Sequence, residues 1–325
     1  MHNINSSEHR IYIIRQTERE LGDMDHRQLR DNIRTFSLGD CARGNQGYNR
    51  VLLQLFGYTG HGKSSLINSC IYALEEDGGF IEHAEAGDQD GGKTMIRKAY
   101  ELTGNITMVD NRGYNRMDGF QRAEVYAQLG NFIPVGEKVV WRDNYTDMMI
   151  EVERSDMDPN CTDFIVPVLV YSAKAGLAEG EKPEVKIFIS NCIKMTGVAP
   201  IIVLTNKTSG DYFEIEKQFK LIGAETVIAV ENYTNEDSMK TLRRTTDFLM
   251  FIDGSIKQVI FRMEQKRNPR EERLQRKIFL LQYIHEAEMK KEEDKRERER
   301  RKEEEFRAKV LKSPLKFLFQ LGRDT

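Results

Sequence analysis

From Val51 to Val230 short apolar runs alternate with segments whose apolar residues recur every three or four positions. The runs Val51 to Phe56, Met95 to Leu102, Asn105 to Val109, Phe164 to Tyr171, Ala199 to Leu204 and Thr226 to Val230 read as strands. Between them, Ser65 to Ile71 and segments near Pro183 to Met195 and Tyr212 to Ile222 carry helical spacing. Such alternation predicts a doubly wound, mostly parallel α/β sheet whose strands are joined by crossover helices. Ligands of such sheets lie at the carboxyl ends of the strands, so functional residues should follow strands directly.

The flanks are different material. Residues 1–47 are polar, with Ile11, Ile13, Ile14, Leu21, Leu29, Ile33 and Phe36 loosely spaced, and read as a helical lead-in to a body spanning 48–252. From about residue 235 to 312 the chain reads as helix, broken near Asn268-Pro269 because proline removes a donor and clashes with the preceding turn. Its distal part, 253–312, is a charged helical arm. Leu274, Ile278, Leu281 and Ile284 have the spacing of a face for a protein partner, self-association or packing on the body. Residues 290–305 hold no apolar side chain, so no coiled-coil seam runs through them. Instead Glu292/Arg296, Asp294/Arg298, Glu297/Arg301, Glu303/Arg307 and Glu305/Lys309 form acidic-to-basic pairs, each worth about 0.2 to 0.5 kcal/mol. Residues 313–325 form a short apolar tail; one such segment gives marginal membrane affinity, so docking on protein is expected.

The chemistry begins after the first strand. Gly57-Tyr58-Thr59-Gly60-His61-Gly62-Lys63-Ser64 satisfies the phosphate-loop pattern G-x-x-x-x-G-K-[ST], between a strand and a helix. Glycines let backbone N–H groups converge on an anion, and the helix dipole adds attraction. Lys63 would reach the β and γ phosphates, and the Ser64 hydroxyl would ligate Mg²⁺. Three further strand ends carry polar groups. Asp110-Asn111-Arg112-Gly113 follows Ile106 to Val109: its carboxylate suits a magnesium shell, and Gly113 suits a backbone approach to the γ-phosphate. Thr205-Asn206-Lys207 follows Pro200 to Leu204, where a lysine stem lies along a purine ring and an asparagine amide bonds ring or loop atoms. Glu231-Asn232-Tyr233 follows the last strand and places Asn232 for a base contact. The polar, Gly-rich stretch 75–93 reads as a mobile loop ending at Thr94, which would complete magnesium coordination when a γ-phosphate orders it.

Charge and cysteine usage narrow the class. Arg262 to Lys312 holds 18 Lys and Arg against 13 Asp and Glu; the net charge is −3, so the rest of the chain carries −8. An acidic body argues against nucleic-acid binding. Cys41, Cys70, Cys161 and Cys192 are scattered without metal-ligand spacing. The longest apolar run is too short to cross a bilayer, and a cytoplasmic protein is expected.

Taken in order, these motifs make residues 48–252 resemble a P-loop GTPase of the Ras-like and septin-like superclass, with a nearer similarity to the interferon-induced protein 44 family, whose phosphate loop is also of the Gly-Lys-Ser-Ser kind and whose last strand is followed by Asn-Tyr. The resemblance implies GTP or GDP with Mg²⁺ as ligands, Gly57, Thr59, Gly60, His61, Gly62, Lys63, Ser64 and Ser65 on the phosphates, Ser64, Thr94 and Asp110 at the metal, Asp110 and Gly113 at the γ-phosphate switch, and Asn206, Lys207 and Asn232 on guanine. The chain departs from the pattern twice. Ser209 stands where Asn-Lys-x-Asp supplies the carboxylate that selects guanine, with Asp211 either replacing it or capping the next helix, the reading preferred here. Tyr114 stands where a Gln orients the attacking water, so hydrolysis should be slow. His61 could accept a proton but reads more simply as an exposed loop histidine, and Arg112 as an outward arginine rather than a cis charge donor. Three functions follow: a GTP-binding switch or slow GTPase, a nucleotide-holding scaffold without turnover acting through its arm, or an ATPase.

Overall fold

Strand β1 (Arg50–Phe56) lies at the centre of the computed structural model, which describes residues 26–85, 96–115, 119–139, 144–155 and 162–312. It is buried from Val51 to Phe56, as a strand covered on both faces must be. Along the chain α1 (His26–Thr35) precedes β1, and after it come α2 (Lys63–Leu74), β2 (Lys98–Thr103), β3 (Ile106–Asp110), α3 (Gly119–Leu129), α4 (Tyr145–Arg154), β4 (Asp163–Ser172), α5 (Lys182–Thr196), β5 (Ile201–Thr205), α6 (Tyr212–Leu221), β6 (Thr226–Ala229), α7 (Leu242–Met263) and α8 (Pro269–Lys312). The six-stranded sheet has the order β2-β3-β1-β4-β5-β6. Every neighbouring pair is parallel except β2 with β3. Crossover helices were expected throughout, but Gly104 and Asn105 alone join β2 to β3, which is a hairpin connection and forces an antiparallel edge.

Helices cover both faces. On one, α1, α2 and α7 pack Ile33, Leu66, Ile67, Phe248, Ile252 and Val259 against Leu53, Val166 and Val203 of the sheet. On the other, α3, α4, α5, α6 and the first half of α8 enclose Tyr126, Met148, Phe188, Phe219, Leu280 and Ile284. The boundary expected at 252/253 falls inside α7, whose side chains stay buried through Ile256 and Val259 to Met263. Residues 26–35 of the lead-in are α1, with Leu29 and Ile33 fully buried against α7. Earlier residues of the lead-in and the apolar tail lie outside the described residues.

Proline at the first position of α8 needs no N–H there, so the break at Asn268-Pro269 starts a new helix. Its inward face is offset from the expected one. Leu274 and Ile278 are exposed, while Arg276, Leu280 and Ile284 are buried, because the stem of an arginine extends the apolar stripe by one turn. The 44 residues give a rod of about 66 Å. From Met289 to Lys309 every side chain is exposed. There Arg296–Glu292, Arg301–Glu297 and Arg307–Glu303 close at 3.4, 2.6 and 2.7 Å.

Candidate functional site

Where β1 ends, the chain makes a turn that only glycine permits at two points. A Cβ on Gly57 would stand 2.2 Å from the Val170 carbonyl oxygen of the neighbouring β4, and Gly62 has φ +86 with its Cβ position 2.9 Å from Asn232 Nδ2. The turn hands over to α2 at Lys63, so the amides of Lys63, Ser64 and Ser65, ahead of the bond from Leu66 N–H to the Gly62 carbonyl, have no acceptor within the helix. Lys63 Nζ donates to the carbonyls of Gly57 and Tyr58, each at 3.1 Å. Its burial lowers its pKa to about 8, partly offset by the Asp110 carboxylate.

The pairing of β1 with β3 sets Asp110 opposite Leu55, at the same sheet edge as the loop. Ser64 Oγ donates to Asp110 Oδ2 at 2.7 Å, so the two proposed magnesium groups already converge. A hydroxyl and a carboxylate beside a phosphate site are the hard oxygen donors that ion takes, with water and phosphate completing its shell. These residues fit the group. Thr94, the third proposed metal residue, lies outside the described residues.

Gly113 and Tyr114 close over the loop. A Cβ on Gly113 would meet Lys63 Nζ at 2.8 Å and Thr59 Oγ1 at 3.0 Å, and the Thr59 amide donates to the Tyr114 carbonyl at 3.1 Å. A γ-phosphate between Lys63 and Gly113 therefore requires this segment to move. The Tyr114 side chain is buried in a cluster with Tyr58, at a centroid distance of 4.8 Å, and Tyr171 packs on Tyr58 at 5.9 Å.

His61 and Arg112 differ from expectation. His61 packs edge-on against Tyr171 at 4.8 Å, and its Nδ1 accepts from the Ser172 amide at 3.2 Å. Burial, with the Lys63 charge adding to it, lowers its pKa to about 4, so it is neutral at pH 7 with the proton on Nε2. Arg112 turns inward: Nη1 donates to the Val139 carbonyl at 3.0 Å. An open cavity of about 310 Å³ beside the loop is lined by Tyr58, Thr59, His61, Tyr114, Tyr171 and Glu181 among others.

At the far end of the sheet, Asn206 adopts a left-handed φ of 55° and its Nδ2 donates to Ser172 Oγ at 2.8 Å. Lys207 Nζ pairs with Asp247 at 2.7 Å and lies 5.6 Å from the Tyr212 ring. Glu231 Oε2 accepts both the amide and the hydroxyl of Thr208, each at 2.7 Å, tying the β5 and β6 loops together. Asp211 caps α6, accepting from the Glu214 amide at 3.2 Å. Asn232 Nδ2 donates to the Gly62 carbonyl at 3.2 Å, and Thr205 Oγ1 to that of His61 at 2.9 Å, so both brace the phosphate loop.

The bracing role of Thr205 and any role for Asn68 were not anticipated. Asn68 accepts the amides of His83 and Ala84 at 2.9 and 2.7 Å and donates to Ala84 O at 2.8 Å, pinning to α2 part of a stretch expected to be mobile. Its signal was an asparagine in the middle of an apolar helix.

No family model and no curated protein matches the chain, so the nearer likeness to the interferon-induced protein 44 family gains no support. Solved structures do match. Era in complex with MgGDPNP and a segment of 16S ribosomal RNA aligns at 14% identity with a TM-score of 0.33, covering 57% of this chain and 51% of that one. SsGBP in complex with GDP aligns at 17% and 0.32, covering 67% and 52%. A mutation variant of SsGBP aligns at 15% and 0.30, covering 66% and 57%. The chain thus spans little more than half the length of each. The fold is a mostly parallel six-stranded α/β sheet with a glycine turn between β1 and α2 and a long C-terminal helix.

Proposed function

We propose that this chain is a magnesium-dependent purine-nucleotide switch with slow turnover, guanine its working base. The observation that carries the reading is the convergence of Lys63, Ser64 and Asp110 behind a glycine turn at the N-terminus of α2. Lys63 would exchange its bonds to Gly57 and Tyr58 for phosphate oxygens, and the amides of the loop would follow the same anion. Ser64 and Asp110 would hold the ion, Thr94 joining them. Magnesium, when bound, withdraws charge from the phosphate oxygens. Seating a triphosphate would lift Gly113 and Tyr114 off Lys63 and Thr59, and that displacement is the switch. Partners of protein character would read it through the arm.

Asn206 and Lys207 stand where a purine would lie. Since Asp211 is committed to the α6 cap and Ser209 carries no charge, the carboxylates held to that loop are Glu231, on Thr208, and Asp247, on Lys207. An ATPase of the same fold remains the competing base assignment on the strength of Ser209. The burial of Tyr114 favours a second reading, a nucleotide-holding scaffold without turnover, because no side chain at that place faces the phosphates to orient water.

The test is the identity of the nucleotide retained by the purified protein, with binding of GTP and ATP measured for wild type and Lys63→Ala. The reading expects guanine nucleotide and a loss of at least about tenfold in affinity, the worth of one charge-assisted contact. Unchanged affinity for both nucleotides in Lys63→Ala would overturn the site. Multiple-turnover phosphate release separates the slow GTPase from the scaffold.

A further inference from the structure

Arg97 is a fully buried guanidinium that touches three parts of the molecule at once. Its Nε donates to Asn111 Oδ1 at 2.8 Å, Nη2 to Gln54 Oε1 at 3.0 Å, and Nη1 to Asn131 Oδ1 at 3.2 Å and to the Ile133 carbonyl. Asn111 is the residue after Asp110, and its Nδ2 also donates to Gln54 at 3.3 Å. Gln54 lies in β1, two residues before the carboxyl end at Phe56, after which the loop begins at position 57. Asn131 and Ile133 lie beyond α3. There Arg273 of α8 donates from Nη1 to the Asn131 carbonyl at 3.2 Å and from Nη2 to the Ser155 carbonyl at 2.8 Å, with its guanidinium 5.1 Å from the Phe132 ring.

We propose that Arg97 is a positioning residue that couples the metal-side segment Asp110–Tyr114 to the seat of α8 through Asn131 and Arg273. The inference rests on the function proposed above and names how its state would reach the arm. A guanidinium presents its donors in a rigid plane, so Asn111 cannot move far without stripping a buried donor or carrying Arg97 with it. Arg97 in turn holds Asn131 and Ile133, and Arg273 rests on the carbonyl of that same Asn131 and on the ring of Phe132 between the two. The element with two positions is the segment at Gly113 and Tyr114, closed on Lys63 and Thr59 in this structure. When it lifts, Asn111 shifts at its root. Coupling of this kind is reciprocal: whatever the occupant of the metal site does to α8, loosening α8 does in return to the occupant.

Reciprocity supplies a test at a distance from the site. The full chain is measured for binding of GDP without magnesium and of a non-hydrolysable GTP analogue across a magnesium titration, as wild type, Arg273→Ala and Arg97→Lys. Hydrogen exchange of residues 269–284 is followed in wild type with and without the analogue. Arg273→Ala is expected to weaken the magnesium-dependent affinity by about fivefold or more, to leave GDP alone within about twofold, and analogue binding is expected to change exchange along 269–284. Arg97→Lys, whose single ammonium cannot span Asn111 and Asn131, should reproduce the magnesium effect; should it fail to fold, Arg273→Ala, a partly exposed position, decides. A merely structural arginine would lower the melting temperature and leave the magnesium dependence alone. That outcome, or unaltered exchange in α8 while nucleotide binds, overturns the coupling and spares the proposed function. A wild type that binds no nucleotide overturns both.

Discussion

The backbone amide of Thr59, inside the phosphate loop, donates to the backbone carbonyl of Tyr114 at 3.1 Å. Two segments that would have to part for a third phosphate are thereby hydrogen-bonded to one another. Under the proposed function a diphosphate would need only the cradle of Gly60, Gly62 and Lys63, whereas a triphosphate would also have to break this bond and lift Gly113 from Lys63. Its apparent affinity carries the cost of opening. GDP is therefore expected to bind at least about fivefold more tightly than a non-hydrolysable GTP analogue, since one buried hydrogen bond is worth on the order of 1 kcal/mol. Equilibrium titration with both ligands checks it; tighter binding of the triphosphate would mean that the closed arrangement is not the resting one.

The hydroxyl of Tyr114 is buried without a hydrogen-bond partner, as is that of Tyr58. An unmatched buried hydroxyl costs about 1 to 3 kcal/mol, so Tyr114→Phe should hold or raise the melting temperature. Because the ring is buried against Tyr58 in a cluster that also holds Tyr171, the same change should leave the rate of phosphate release unaltered. A drop of more than tenfold in that rate would place the hydroxyl in the chemistry.

Lys63 gives the site a pH signature. Burial lowers its pKa from 10.5 to about 8, and only the ammonium attracts phosphate. An anion raises that pKa again, so the protonated form binds better: affinity is flat below pH 8 and falls as pH rises above it, by up to about tenfold per unit. The stability of the free protein moves the other way. Between pH 8 and 10.5 the unfolded lysine holds its proton while the folded one has lost it, so this group's contribution to stability rises with pH. Affinity measured from pH 7 to 9.5 should bend near 8 in wild type and stay level in Lys63→Ala.

The sheet and the glycine turn that leads into α2 were legible because each leaves a local mark: apolar runs of strand length, and glycines at fixed spacing before Lys63 and Ser64. The β2–β3 hairpin was misread as part of a parallel series, although the connection at Gly104-Asn105 is too short for a crossover. His61 and Arg112 were misread for a different reason. Whether a polar side chain at a strand end faces solvent depends on neighbours far along the chain, here Ser172 and Tyr171 for one and Val139 for the other. Gln54 was a visible clue passed over. A glutamine inside the run Val51 to Phe56 must find buried partners, and those partners are Arg97 and Asn111.

The arm divides near residue 288 into a part that holds the fold and a part that does not. Leu280 and Ile284 are fully buried against the face covered by α3, α4 and α5, while the side chains of Met289 to Lys309 are exposed, with Lys291 reaching back to 6.0 Å from the Tyr145 ring. Ion pairs such as Arg301–Glu297 join exposed side chains, and pairs of that kind contribute on the order of 0.5 kcal/mol or less. Ending the chain after residue 288 should thus leave the urea midpoint of the body essentially unchanged. Leu280→Ala, by contrast, opens a cavity in a closed core and should cost about 2 to 5 kcal/mol. Were the truncation to destabilise as much as Leu280→Ala, the distal helix would have to pack on something in solution, and sedimentation of the full chain against the truncated one would show whether that something is a second copy.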